Sequence, residues 1–300
     1  MVRKILVGTE NGIHELGNGG GVRLSGSEIT ALAKGDSGWW AVLDGHEIWR
    51  AGDDGEWVHG PDLPDLRANC ILPAAAGLFV GTSESHVYSL LGDALEPVAS
   101  FDETPGRDSW HTPWGGPPDV RSMSEGGDGA LYANVHVGGI PRSDDAGAAW
   151  TPTIEVGTDV HQVHCDAESG LVLAASARGL GVSDDGGRSW RYDTGGLHAR
   201  YMRAVTVAGD TLLATASTGP YTSHGAVYRR PVGSAVDFER CSVGLPERFS
   251  GNVDTYCIDA SSDDACIGTS EGSVYVSSDQ GATWSLAAEG LPSVRAVVVA

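Results

Sequence analysis

Apolar residues in this chain come in short runs, broken every few positions by glycine, aspartate or serine. No stretch keeps a helical period, and runs of this kind between turn-forming clusters predict many short strands joined by tight turns. A module recurs: an apolar strand, a turn, a second strand ending in a small-residue corner, then a third strand. The corners read VGTENG (7–12), VGTSES (80–85), ANVHVGG (133–139), AASARG (174–179), ATASTG (214–219) and IGTSEG (267–272). A further copy has the stretch from Trp39 to Gly45 in that place. The 43 glycines and 14 prolines suit such a pattern, and a hydrophobic fraction of 41% is enough for a sizeable core.

A second signal follows the third strand of several modules. Three segments match Ser-x-Asp-x-Gly-x-x-Trp: Ser143-Asp145-Gly147-Trp150, Ser183-Asp185-Gly187-Trp190 and Ser277-Asp279-Gly281-Trp284. A degenerate copy, Ala51-Asp53-Gly55-Trp57, carries its Trp one place early. The Ser and Asp side chains hydrogen-bond a turn's own backbone, Gly supplies positive φ, and Trp folds back as an apolar plug. These are turn-building residues, not reacting ones. The first two full copies begin 40 residues apart, from Ser143 to Ser183, which is one unit. The next begins 94 residues on, at Ser277, which fits two units and an insertion.

Seven units result, near 1–27, 28–64, 65–101, 119–157, 158–199, 200–251 and 252–291. The first lacks an opening strand, and SVRAVVVA (293–300) matches the opening strand RAVTV of the sixth. Pairing that segment into the first unit closes a ring and removes open sheet edges. The expectation is an all-β, seven-bladed β-propeller, forming a single domain over residues 1–300, with strand 293–300 completing the N-terminal blade.

The motifs resemble those of the Asp-box (BNR-repeat) propeller superfamily, and the resemblance covers essentially the whole chain. That superfamily includes sialidases, sortilin-type receptor domains and the photosystem II assembly factor family. The resemblance implies an architecture rather than an activity. Sialidases imply six blades, an Arg-Ile-Pro motif near the start, three arginines for the sialate carboxylate and a Tyr/Glu nucleophile pair. This chain has no Arg-Ile-Pro and counts to seven units. The assembly-factor relatives imply a docking platform, so hydrolase and scaffold both stay open.

Charge narrows the partners. Forty acidic residues against 19 basic ones give a formal net charge of −21, which repels phosphate backbones and anionic lipid. Neither a nucleic acid nor a membrane is an expected partner. The chain enters an apolar strand at Ile5-Leu6-Val7 without a signal-peptide pattern, and nothing reaches the length of a membrane span. Cys70, Cys165, Cys241, Cys257 and Cys266 are scattered, which fits buried thiols in a reducing compartment. A cytoplasmic monomer is the expectation.

In a propeller the starts of the blades and the second-strand corners share the face away from the Asp-box turns. Opening strands align as DVRSM (119–123), DVHQV (159–163), YMRAV (201–205), NVDTY (252–256) and SVRAV (293–297). Their third positions are Arg121, His161, Arg203, Asp254 and Arg295, with Thr30 and Asn69 in the second and third blades. The longest insertion, 102–119, carries Trp110, His111 and Trp114, and the fourth corner carries His136. The sixth corner is enlarged and holds Tyr221 and His224.

Three chemistries follow. His111, His136 and His161 are candidate ligands for one divalent metal ion. Arg121, Arg203 and Arg295, with Trp114, Tyr221 and His224, are candidates to hold a small acidic or sugar-like ligand. Asp254, His161 and His136 are the candidate acid–base groups for a glycosidase-like reaction, with Glu10 or Asp119 as a second carboxylate. The competing class is a protein partner docked on an exposed Trp110 and Trp114.

Overall fold

The computed structural model describes residues 4–17, 20–52 and 55–300. These residues form seven four-stranded antiparallel sheets, and within each sheet the strands lie side by side in chain order. The one departure is the sheet that closes the fold. Its order is Val294–Val299, Ile5–Thr9, Gly12–Leu16, Val22–Arg23, so the last strand stands where the first sheet lacks an opening one. Ile5 pairs with Val299 and Val7 with Val297, and Val294, Ala296, Val297 and Val299 are all buried. The chain is a seven-bladed β-propeller closed by its C-terminal strand. Among the described residues the only helical pieces are single turns, such as Ala99–Asp102 and Arg107–Ser109.

Contacts group the chain into two compact units. One comprises the residues up to Ile29, Ala175–Leu180 and Tyr192–Ala300; its core includes Val7, Ile258, Ile267, Trp284 and Val297. The other comprises Thr30–Ala174 and Gly181–Arg191. It holds one cluster around Val42, Ile48, Ile71 and Val80, and another around Tyr132, Ile140, Val160 and Val172.

The three Ser-Asp-Gly-Trp turns share one geometry, which explains why the residues repeat. Ser143 Oγ donates to Asp145 Oδ1 at 2.8 Å and accepts from the Gly147 N–H at 2.8 Å, while Asp145 Oδ1 accepts from the Ala149 N–H at 2.8 Å. The turns at Ser183 and Ser277 reproduce all three bonds. Gly147, Gly187 and Gly281 sit at φ of +89°, +86° and +77°, a region costly for any residue with a Cβ. Trp150 and Trp284 are buried against the sheets. The degenerate copy includes Asp53, which lies outside the described residues.

Candidate functional site

Several of the polar positions that align in the opening strands are where the ladders break. In the sheet built on Ala68–Ala74 the register skips Asn69, and in the sheet opened by Val120–Glu125 it skips Arg121. In the closing sheet it skips Arg295. A bulged residue leaves the ladder and its side chain is re-aimed. Arg203 and Asp254 precede the strands Val205–Ala208 and Ile258–Ser261 and are likewise outside the ladder. Position in the repeat thus frees these side chains for polar contacts.

Two of the three arginines spend that freedom on carboxylates of the protein itself. Arg203 Nη1 lies 3.1 Å from Asp254 Oδ1, and its guanidinium stands over the Tyr201 ring. Arg295 reaches Glu10 at 2.5 Å and Glu28 at 3.2 Å. The candidate base Asp254 and the candidate second carboxylate Glu10 are therefore each paired with an arginine.

A different arrangement stands at the fourth and fifth sheets. His136 follows the strand Leu131–Val135, and its N–H donates to the Asp119 carbonyl at 2.9 Å. His161 is the second residue of the strand Val160–Cys165, and Asp159 directly precedes that strand. Asp159 Oδ1 accepts from His136 Nε2 at 2.8 Å and lies 3.2 Å from His161 Nε2. The imidazole rings are 5.8 Å apart between centroids. One donor atom from each of the three residues falls within 4.8 Å of the others. His161 is 0% and His136 7% exposed, while the Asp159 side chain keeps 32%.

Electrostatics follow from this packing. Burial lowers the His136 pKa and Arg121 lowers it further, against the opposing pull of Asp159. Burial alone would raise Asp159, but its contacts with His136 and His161 outweigh that and hold its carboxyl well below the usual range. Neutral imidazole beside carboxylate is thus favoured at His136. Asn134, two residues before His136, donates its amide to the Val160 carbonyl at 3.2 Å. Its Oδ1 is buried without a hydrogen-bond partner among the described residues.

The 102–119 insertion is braced rather than loose. Arg107 pairs with Asp102 at 3.0 Å, donates to the Ser85 carbonyl at 2.6 Å and covers the Trp110 ring. Trp110 is buried against Phe101, so it is not the exposed anchor the sequence suggested; it pins the loop. Trp114 is that anchor. It sits in a turn closed by the Gly115 N–H on the Thr112 carbonyl, is 69% exposed, and holds its ring 5.3 Å from that of His136. His111 is exposed with Nδ1 2.8 Å from the Ser109 carbonyl and is not in the three-residue group, where Asp159 takes the third place.

The remaining candidates stand apart from this group. Tyr221 is fully exposed, and His224 gives its carbonyl to His198 Nε2 at 2.9 Å. Clefts of about 430, 340 and 280 Å³ are lined by Tyr132, Arg142 and Asp184, by Trp39 and Glu56, and by His59, Leu90 and Asp93; Trp40 and Arg50 border both smaller ones. None of the three is lined by a residue named from the sequence as a site. Asp159 is the residue sequence reasoning missed. Its signal was present, since aspartate opens both DVRSM and DVHQV.

No helix among the described residues is long and apolar enough to cross a membrane. No protein-family model and no curated protein matches the chain. Solved structures do. A GH74 xyloglucanase from Xanthomonas campestris superposes with a TM-score of 0.62 at 17% identity, covering 95% of this chain and 46% of that one. An ancestral GH74 enzyme is covered over only 37% of its length, so this chain spans less than half of these enzymes. YCF48 bound to a D1 peptide gives 0.59 at 17% identity, covering 87% of this chain and 82% of that one. A nidogen/laminin complex gives 0.58 at 10% identity, with 99% and 98% covered. At these identities the likeness shows a shared propeller fold and nothing finer.

Proposed function

We propose that this chain is an Asp-box propeller that works as a binding platform, with the braced 102–119 loop as its contact surface and Trp114 as the anchor. The observation that carries this reading is Trp114 itself. A large indole 69% exposed on a loop pinned by Arg107 and Trp110 is already ordered, so a partner that covers it gains apolar burial without first having to order the loop. The turn repeats, which share one hydrogen-bonding scheme, support the superfamily assignment.

The opposing reading, a hydrolase acting on a small acidic or sugar-like ligand, has less support. Two of its three clamp arginines are already paired, Arg203 with the candidate base Asp254 and Arg295 with Glu10 and Glu28. With net charge −21, a partner segment offering basic and aromatic side chains suits the platform.

The test is affinity capture from the native source with wild type and Trp114→Ala side by side. One stoichiometric partner, lost in the variant while the melting temperature holds, is the expected result. Identical capture by both proteins, or turnover of glycosides by the wild type that Asp254→Asn abolishes, overturns it.

A further inference from the structure

Two imidazoles and one carboxylate, brought together from two different sheets, form a donor set more specific than a structural hydrogen bond requires. We infer that His136 Nε2, Asp159 Oδ1 and His161 Nε2 bind one borderline divalent ion of the zinc or ferrous class. The geometry fits. Ligands sharing an ion through bonds of about 2.1 Å lie about 3.0 Å apart at a right angle and about 3.4 Å at a tetrahedral one. The two contacts to Asp159 measure 2.8 and 3.2 Å, and one donor atom from each of the three residues falls within 4.8 Å of the others.

The chemistry of the donors selects the ion. Imidazole nitrogen suits zinc, iron, copper and nickel, whereas calcium and magnesium ask for oxygen throughout. Asn134 adds a second, independent observation. Its amide already reaches the 159–161 segment, and its Oδ1 is buried with no hydrogen-bond partner among the described residues. Such an atom is costly in an interior and calls for an occupant. Three protein ligands leave an ion of this class with an open position, and the partly exposed edge of Asp159 is where solvent meets the group.

The experiment uses untagged full-length protein stripped with a chelator and dialysed. Zinc titrated by calorimetry should bind at one equivalent per chain, and calcium should not compete. Asp159→Asn and His136→Ala should each weaken zinc by more than roughly 100-fold, beyond what losing an outer-shell partner costs. His59→Ala, on a histidine paired with Asp62 elsewhere, serves as a control and should bind like wild type. Cobalt(II) gives a readout that also works if a variant is less stable. It should quench the emission that differs between wild type and Trp114→Phe, because that indole stands 5.3 Å from His136. Absence of stoichiometric zinc in folded wild type, or zinc binding untouched by Asp159→Asn, overturns the inference. Neither outcome bears on whether Trp114 anchors a partner.

Discussion

Replacing Asp259 by asparagine should stabilise this protein at neutral pH and leave it unchanged in acid. Asp259 lies in the strand Ile258–Ser261, directly opposite Cys266, and its Oδ2 accepts from the Val299 N–H of the closing strand at 2.9 Å. Burial pushes its carboxyl up to about 6 from 3.8, against the hydrogen bonds from Val299 and Ala260 that favour the anion. The fold therefore prefers the protonated acid. Below about pH 4 the group is protonated folded and unfolded alike, and no penalty exists. Between pH 4 and 6 the unfolded chain releases its proton while the fold keeps it, so stability falls as pH rises. Above pH 6 the whole penalty applies. Moving this carboxyl from 3.8 to about 6 corresponds to about 3 kcal/mol. Asp259 keeps some solvent contact, so about 1–3 kcal/mol is expected. Asparagine retains an acceptor for Val299 and carries no charge. Urea unfolding of both proteins from pH 4 to 8 should show a gap in stability that opens from zero and levels off near pH 7. Taking the difference matters, because 40 acidic residues make the pH profile of either protein alone reflect general repulsion, which cancels between the two. A gap that does not change with pH refutes the reasoning.

Three further outcomes follow from the same packing. Ser183→Ala removes the acceptor of the Gly187 N–H from a buried position and should cost about 1–3 kcal/mol in chemical denaturation. A change within error would show that the turn does not need its serine. Gly272→Ala should prevent accumulation of folded protein, since a Cβ there would lie 1.8 Å from the Leu291 carbonyl at a φ of +80°. Gly290→Ala, at φ +73° in open space, should cost only about 1–2 kcal/mol, and similar losses for the two would remove the steric argument. Asp254→Asn breaks an ion pair whose carboxylate is half exposed and should lower the unfolding free energy by less than about 1 kcal/mol in chemical denaturation.

The repeat made the architecture legible because each turn is specified locally. Ser143, Asp145 and the N–H groups of Gly147 and Ala149 satisfy one another within seven residues, so the spacing of the turn is visible without knowing anything distant. Closure was legible for a related reason: Val294–Val299 repeats the pattern of an opening strand, and only the sheet beginning at Ile5 lacked one. Side-chain partners were harder. The alignment picked out Arg121, Arg203, Asp254 and Arg295 as polar, yet polarity at an aligned position does not say whether a charge faces a ligand or a neighbour. Arg295 meets Glu10 and Glu28, and the nearer of those is separated from it by 285 residues. Trp110 and Trp114 are four residues apart in one loop, and their opposite fates depend on Phe101 and Arg107, which fill the space beside only one of them.

The fourth corner shows how a repeat can expose a functional departure that no single motif marks. Gly8, Gly81 and Gly268 occupy equivalent places, each just before a buried threonine: Thr9, Thr82 and Thr269. A Cβ at these glycines would lie 2.7 Å from Ile29, 2.5 Å from Val120 and 2.3 Å from Val294, so close packing between adjacent sheets requires glycine. In the fourth sheet the same two places read Asn134-Val135, and the next residue is His136. Here a buried amide replaces the glycine, leaves one oxygen without a partner among the described residues, and sets an imidazole against Asp159. Burying those polar groups costs stability that glycine and threonine would not. The repeat itself supplies the cheaper solution three times over. The fifth and sixth sheets also depart from glycine and threonine, but only to the small pairs Ala175-Ser176 and Ala216-Ser217. The fourth sheet is the one of these that buries an amide, and it does so beside His136, Asp159 and His161, where a bound ion would give those polar groups a common purpose.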